Sequence, residues 1–162
     1  MGARNSIDLT SDSRSIIGSR EFDAPRDLVF AAFADPKHLA QWWGPSGFSL
    51  TTSSFDFRAG GVWRFVMHGQ DGRDYQNRVT YDEIVAPERI VYTHGGGDDV
   101  EPVRFSTTIT FETIGTSRTR LTWHMRFPSA EERNRVIKEY GADKGLVQTM
   151  ARLAEFVAAT TR

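Results

Sequence analysis

Residues 62–68 read Val-Trp-Arg-Phe-Val-Met-His. Trp63, Phe65 and Met67 fall on one face and Arg64 on the other, the two-residue alternation of a half-buried strand. Similar runs predict strands at Ser15–Phe22, Phe48–Phe57, Asp74–Val85, Ile90–His94, Val103–Thr113 and Arg118–Phe127. Turn chemistry separates them: Arg58-Ala59-Gly60-Gly61, the hairpin pair Asp71-Gly72, Ala86-Pro87-Glu88, a loop from Gly95 to Asp99, and Gly115. Between the first two strands the period changes to that of a helix. Ala24-Pro25 opens one with Leu28, Val29, Ala32 and Phe33 on its apolar face, and Asp35 caps a second that runs to Trp43 before Gly44-Pro45 ends it. Ser129-Ala130-Glu131-Glu132 is a capping box at the start of a last helix, which breaks near Gly141 and resumes from about Asp143 to Ala159. Leu146, Met150, Leu153 and Val157 form its apolar stripe.

The element order is β-α-α-β-β-β-β-β-β-α. Seven strands joined mainly by tight turns predict an antiparallel sheet with one covered face, and the long C-terminal helix is the natural cover. A strongly curved sheet around one helix leaves room for a cavity between them. Residues 1–13, rich in Ser, Asp and Arg, read as a flexible tail, and residues 14–162 as one α+β domain.

Composition narrows the possible partners. Lys and Arg number 20 against 21 Asp and Glu, a net charge of −1, which gives no electrostatic case for nucleic acid or an anionic membrane. The absence of cysteine excludes disulfides, thiolate metal sites and a cysteine nucleophile, and fits a cytoplasmic location. No run approaches the ~18 apolar residues of a membrane span, and no apolar secretory leader opens the chain. Met1-Gly2-Ala3-Arg4-Asn5-Ser6 matches the loose myristoylation pattern M-G-x-x-x-S/T, which short sequences often meet by chance.

The adjacent pair Trp42-Trp43 cannot lie wholly on the inner side of one regular helix, because consecutive positions point about 100° apart. One ring is expected in the core and the other at a mouth, a cavity or a partner; a homodimer follows if that second ring needs covering. The surrounding segment, Asp35-Pro36-Lys37-His38-Leu39-Ala40-Gln41-Trp42-Trp43-Gly44-Pro45, also carries a family resemblance. With it go Arg20-Glu21-Phe22-Asp23-Ala24-Pro25, Asp56-Phe57-Arg58-Ala59-Gly60-Gly61-Val62-Trp63, Pro87-Glu88-Arg89-Ile90-Val91-Tyr92, and Gly145 followed by Met150-Ala151-Arg152-Leu153. Over about residues 15–160 the chain resembles the helix-grip domains of the START/polyketide-cyclase/Bet v 1-like (SRPBCC) superfamily. Within it, the resemblance is to the branch of the C-terminal domain of activators of the heat-shock protein 90 ATPase. That resemblance implies a helix-grip fold with a cavity between sheet and C-terminal helix. Members of the branch often carry Trp after the glycine of the last helix; Leu146 follows Gly145 here, and the smaller side chain is expected to enlarge or reshape the cavity. The heat-shock activators also have a separate N-terminal domain for which 162 residues leave no room, so a co-chaperone role in stress response is not the first expectation.

Alternation places Trp63, Phe65 and Met67 inward, and likewise Trp123, Met125 and Phe127, with Phe105 beside them. Phe33 and Trp42 from the helix pair and Met150 from the cover complete a lining of aromatic rings and soft sulfur, suited to a small hydrophobic or aromatic molecule. Tyr75 and Tyr92 are its polar candidates; Asn77, Tyr81 and His94 share the middle strands. The four histidines, His38, His68, His94 and His124, show no metal-binding spacing, although Asp98, Asp99 and Glu101 follow His94 closely. No nucleophile elbow or phosphate loop occurs, and no cofactor is expected. Binding of a small apolar ligand is the leading expectation. A cyclase-like, lyase or hydrolase enzyme using His68 or His94, with Asp71 or Asp74 beside His68, is the second; a protein-interaction module of the heat-shock activator type is the third.

Overall fold

The structure, a computed structural model, describes residues 5–95 and 103–160. Among these, eight strands form one antiparallel sheet: β1 (Asn5–Asp8), β2 (Ser15–Phe22), β3 (Ser49–Phe55), β4 (Val62–His68), β5 (Asp74–Val85), β6 (Arg89–His94), β7 (Phe105–Ile114) and β8 (Arg118–Arg126). The spatial order is β1-β2-β8-β7-β6-β5-β4-β3, so β1 and β3 are the edges. Two short helices, α1 (Arg26–Ala31) and α2 (Pro36–Trp42), follow β2; α3 (Ala130–Tyr140) and α4 (Ala142–Thr160) close the chain over the inner face. The architecture is α+β and helix-grip. No helix among the described residues is long and apolar enough to cross a membrane.

The strand count corrects the expectation of seven. The extra strand lies in the segment read as a flexible tail. Ser6, Ile7 and Asp8 pair with Ser19, Gly18 and Ile17. The polar residues that suggested mobility are turn chemistry: Asp8 Oδ1 accepts from the Thr10 and Ser11 amides at 2.9 and 3.0 Å, and reverses the chain. Arg133 on α3 then pins it, donating from Nη1 to the carbonyls of Leu9 and Ser15 at 2.7 and 3.0 Å. Met1 to Arg4, with most of the myristoylation-like pattern, lie outside the described residues.

Two glycines set how the helical cover meets the sheet. At Gly141 the chain takes a left-handed conformation (φ 63°), which ends α3 and permits the break before α4. At Gly18 on β2, a Cβ would stand 2.7 Å from Leu146 Cδ2 and 2.9 Å from Met150 Cε, so the missing side chain is what lets α4 lie close against the sheet. Asp35 caps α2 as expected, accepting from the Lys37 amide at 2.8 Å.

The core is densest where α1 and α2 cover the sheet. Phe33 meets Trp42 (ring centroids 4.8 Å apart), Phe111 (5.3 Å) and Trp123 (5.7 Å), and Trp63 stacks on Phe65 at 3.9 Å.

Candidate functional site

Toward the α3–α4 junction the packing opens into a cavity of about 380 Å³. Its floor is the inner face of the sheet: Met67 on β4, Tyr75 and Asn77 on β5, Tyr92 and His94 on β6, Phe105 on β7, and Trp123 and Met125 on β8. Its roof comes from Val136, Glu139 and Tyr140 of α3 and from Leu146 and Thr149 of α4, while Trp43, Gly44, Pro45 and Phe48 form one end. Tyr140, at 43% exposed, stands among these residues and is the one large hydrophobic side chain exposed among the described residues.

Of the residues expected to line a cavity, Met67, Tyr75, Tyr92, Phe105, Trp123 and Met125 do so. Phe33, Trp42, Trp63, Phe65, Phe127 and Met150 do not; all are buried in the packed core beside it. Alternation put Met67, Phe105, Trp123 and Met125 of the first group and Trp63, Phe65 and Phe127 of the second on the inner face, left Tyr75 and Tyr92 undecided, and carries no information on how far along the sheet the packing stays solid. The tryptophan pair is also exchanged relative to the expectation. Trp42 is fully buried, with Nε1 donating to the Ala32 carbonyl at 3.0 Å. Trp43, one residue past the end of α2, has extended backbone (ψ 133°) and swings its ring to the cavity wall. The signal was present: Gly44-Pro45 ends the helix at Trp42, which takes Trp43 off the helical face. At 8% exposed, Trp43 needs no second protomer to cover it, and the argument for a homodimer from an uncovered ring falls.

Arg152 of α4 holds this end in place. Its Nη1 reaches the carbonyl oxygens of Trp43, Gly44, Pro45 and Phe48 at 3.0–3.3 Å, and Nη2 that of Gln41 at 3.3 Å. Gln148 adds a bond to the Ser46 amide at 3.1 Å. The helix therefore carries the tryptophan loop against itself.

The polar groups of the cavity are few and specific. Asn77 Nδ2 donates to the Tyr75 carbonyl at 2.9 Å, which turns its Oδ1 toward His94 Nε2 at 2.7 Å. An amide oxygen can only accept, so His94 carries its proton on Nε2. The ring stacks on Phe105 (4.7 Å, 27°), and burial pushes its pKa down to about 4, leaving it neutral near pH 7. Burial likewise raises the Tyr92 hydroxyl well above the usual phenol range, with Thr107 and Trp123 acting in the opposite sense.

The other histidines belong elsewhere. His68 bonds to Asp74 through Nδ1 and to Thr51 Oγ1 through Nε2, both at 2.8 Å, but on the sheet face opposite Met67 and the cavity. His124 meets Ser15 Oγ at 2.8 Å, and His38 donates to the Ala31 carbonyl at 3.0 Å. Among the described residues no three His, Asp or Glu side chains stand close enough to hold a metal ion; Asp98, Asp99 and Glu101 lie outside those residues.

The family described as Activator of Hsp90 ATPase homolog 1-like protein matches residues 23–158. Among solved structures, a protein from Arthrobacter aurescens is 26% identical, with a TM-score of 0.87 over 95% of this chain and 91% of its own. Protein Ms6760 from Mycobacterium smegmatis, also 26% identical, gives a TM-score of 0.82 over 97% and 98%. The AHSA1 protein from Silicibacter pomeroyi, at 24% identity and a TM-score of 0.74 over 90% and 99%, shares the fold. Among the curated proteins no significant match is found.

Proposed function

Since the chain belongs to the Activator of Hsp90 ATPase homolog 1-like family, we propose that it binds a small hydrophobic or aromatic molecule in the cavity between sheet and C-terminal helices. One observation carries this reading: a space of about 380 Å³, within the range of small-molecule sites, walled by Trp43, Trp123, Phe105, Met67 and Met125. A protein of this size normally fills its core closely, and the neighbouring core, built from the same residue types, leaves only a small void beside Phe33 and Trp63. Aromatic faces and thioethers offer dispersion contacts to a planar guest, and they adapt to its outline.

Native mass spectrometry of freshly purified protein, beside the same sample denatured, tests the reading. An added mass present only in the native spectrum is the expected result and yields the ligand for identification. Failure of the protein to take up any planar aromatic probe in solution would overturn it. The same spectrum reports monomer or dimer.

A further inference from the structure

The core tryptophans and Trp43 differ at the indole N–H. Trp42 and Trp63, in the packed core, each give their indole N–H to a protein acceptor, Ala32 O and Thr52 Oγ1, both at 3.0 Å. Trp43, on the cavity wall, has no acceptor for its N–H among the described residues. His94 presents the complementary case. Its Nε2 proton is committed to Asn77, and Nδ1, left with a lone pair, has no partner among the described residues. Nor is Nδ1 among the side-chain atoms sealed from solvent without one. A lone pair on a cavity wall must meet either water or a donor on the ligand.

Charge restricts the guest further. None of the described lining residues is Lys or Arg, and Glu139 on α3 is the one charged side chain among them. A carboxylate or phosphate placed there would lose its hydration without gaining a cation, which is costly.

We infer that this cavity selects a neutral aromatic ligand bearing a hydroxyl, whose O–H donates to Nδ1 of His94. The inference rests on the binding function proposed above and adds the ligand class to it. His94 is then the specificity-determining residue. Asn77 is a positioning residue, since it fixes the tautomer that leaves Nδ1 as acceptor. An apolar ring alone would fit the walls and leave the imidazole unpaired. A fatty acid or aromatic acid would bring a charge that nothing in the described wall balances.

The test compares 2-naphthol, 2-methylnaphthalene and 2-naphthoate by equilibrium dialysis at pH 7, on the wild type, His94→Phe and His94→Gln. The methyl compound is the more hydrophobic, so the informative quantity is how the naphthol-to-methylnaphthalene affinity ratio changes between proteins, in which desolvation of the free compounds cancels. One neutral hydrogen bond corresponds to roughly a 5- to 10-fold change in that ratio. His94→Phe is expected to lower the ratio by that amount. His94→Gln, which can give its N–H to Asn77 and still offer a carbonyl oxygen, is expected to retain most of it. Naphthoate is expected to bind at least 10-fold more weakly than naphthol. A ratio unchanged in His94→Phe, with both neutral compounds bound, overturns the role of His94 and leaves the cavity function standing. Tight naphthoate binding overturns the neutral-ligand assignment. Binding of none of the three to the wild type removes the cavity reading itself. Circular dichroism of each variant separates loss of binding from loss of fold.

Discussion

The two halves of the space between sheet and helices are built from the same kinds of residue and finished differently. In the packed half, Phe33 meets Trp42 at a ring separation of 4.8 Å, Trp63 stacks on Phe65 at 3.9 Å, and both indole N–H groups are bonded to protein. Beneath the α3–α4 junction, Trp43, Trp123, Phe105 and the thioethers of Met67 and Met125 face an open volume. Hydrophobic composition does not separate the two. The difference lies in the size of the volume left open beside the rings and in the Trp43 N–H and His94 Nδ1, which have no partner among the described residues.

The sharpest way to break this comparison is to make one substitution in each half. Met150 is fully buried, so Met150→Ala should cost about 3 kcal/mol, whereas Met125→Ala, on a wall already open to the cavity, should cost about 1 kcal/mol. Denaturant unfolding measures both, and equal costs would mean that the open half is in fact packed.

A comparable effect is expected from acid. The imidazole of His94 has its pKa lowered from 6.5 to about 4 by burial, so between those pH values the unfolded chain binds a proton that the folded chain refuses. Stability therefore falls as the pH drops through that window, since the folded state gives up its advantage as the unfolded imidazole takes its proton. The difference in pH profile between wild type and His94→Gln isolates it; parallel profiles would show that the folded protein protonates the ring as readily as the unfolded chain does.

Smaller again is the contrast within the tryptophan pair. Trp42→Phe removes the donor that satisfies the Ala32 carbonyl and should cost about 2 kcal/mol, while Trp43→Phe breaks no protein hydrogen bond, loses only ring contacts, and should cost about 1 kcal/mol. Thermal melts of the two variants settle the order. The least effect on stability is expected from Leu146→Trp, which puts an indole into the open half from α4. Its melting temperature should move by only a few degrees, yet its uptake of 2-naphthol should be lost, as dialysis would show.

Most of the fold was legible in the sequence because its signals are local. Trp63, Arg64 and Phe65 declare a strand and its inner face by themselves, Asp35 and Ser129 mark helix starts, and Gly141 marks the break before α4. Strand β1 was missed because its polar neighbours Asp8, Thr10 and Ser11 serve a turn whose partner strand is supplied only by tertiary pairing with β2. The site was half legible for a related reason. Met67 and Trp63 share a face of β4 and are both large and mainly apolar, yet one borders the cavity and the other the packed core. What separates them is the place where α3 gives way to α4, a distance along the sheet that no periodicity encodes. His94 and Asn77 were recognisable as polar residues on middle strands, but their pairing depends on the register between β5 and β6, in which Val79 rather than Asn77 stands opposite His94.

The two arginines that fasten the helical cover also bear on rates. Arg133 anchors the beginning of α3 to the chain between β1 and β2, and Arg152 anchors α4 to the loop that carries Trp43. Gly141 sits between these anchors, with Tyr140 exposed beside it. The tryptophan loop and α4 should move as one body, so a guest would come and go by breathing of the helical joint rather than by a flap at Trp43. Amide exchange in the absence of ligand should then be fastest around residues 138–144 and slow at Trp43, and dwell time would be set by a hinge while affinity is set by the walls.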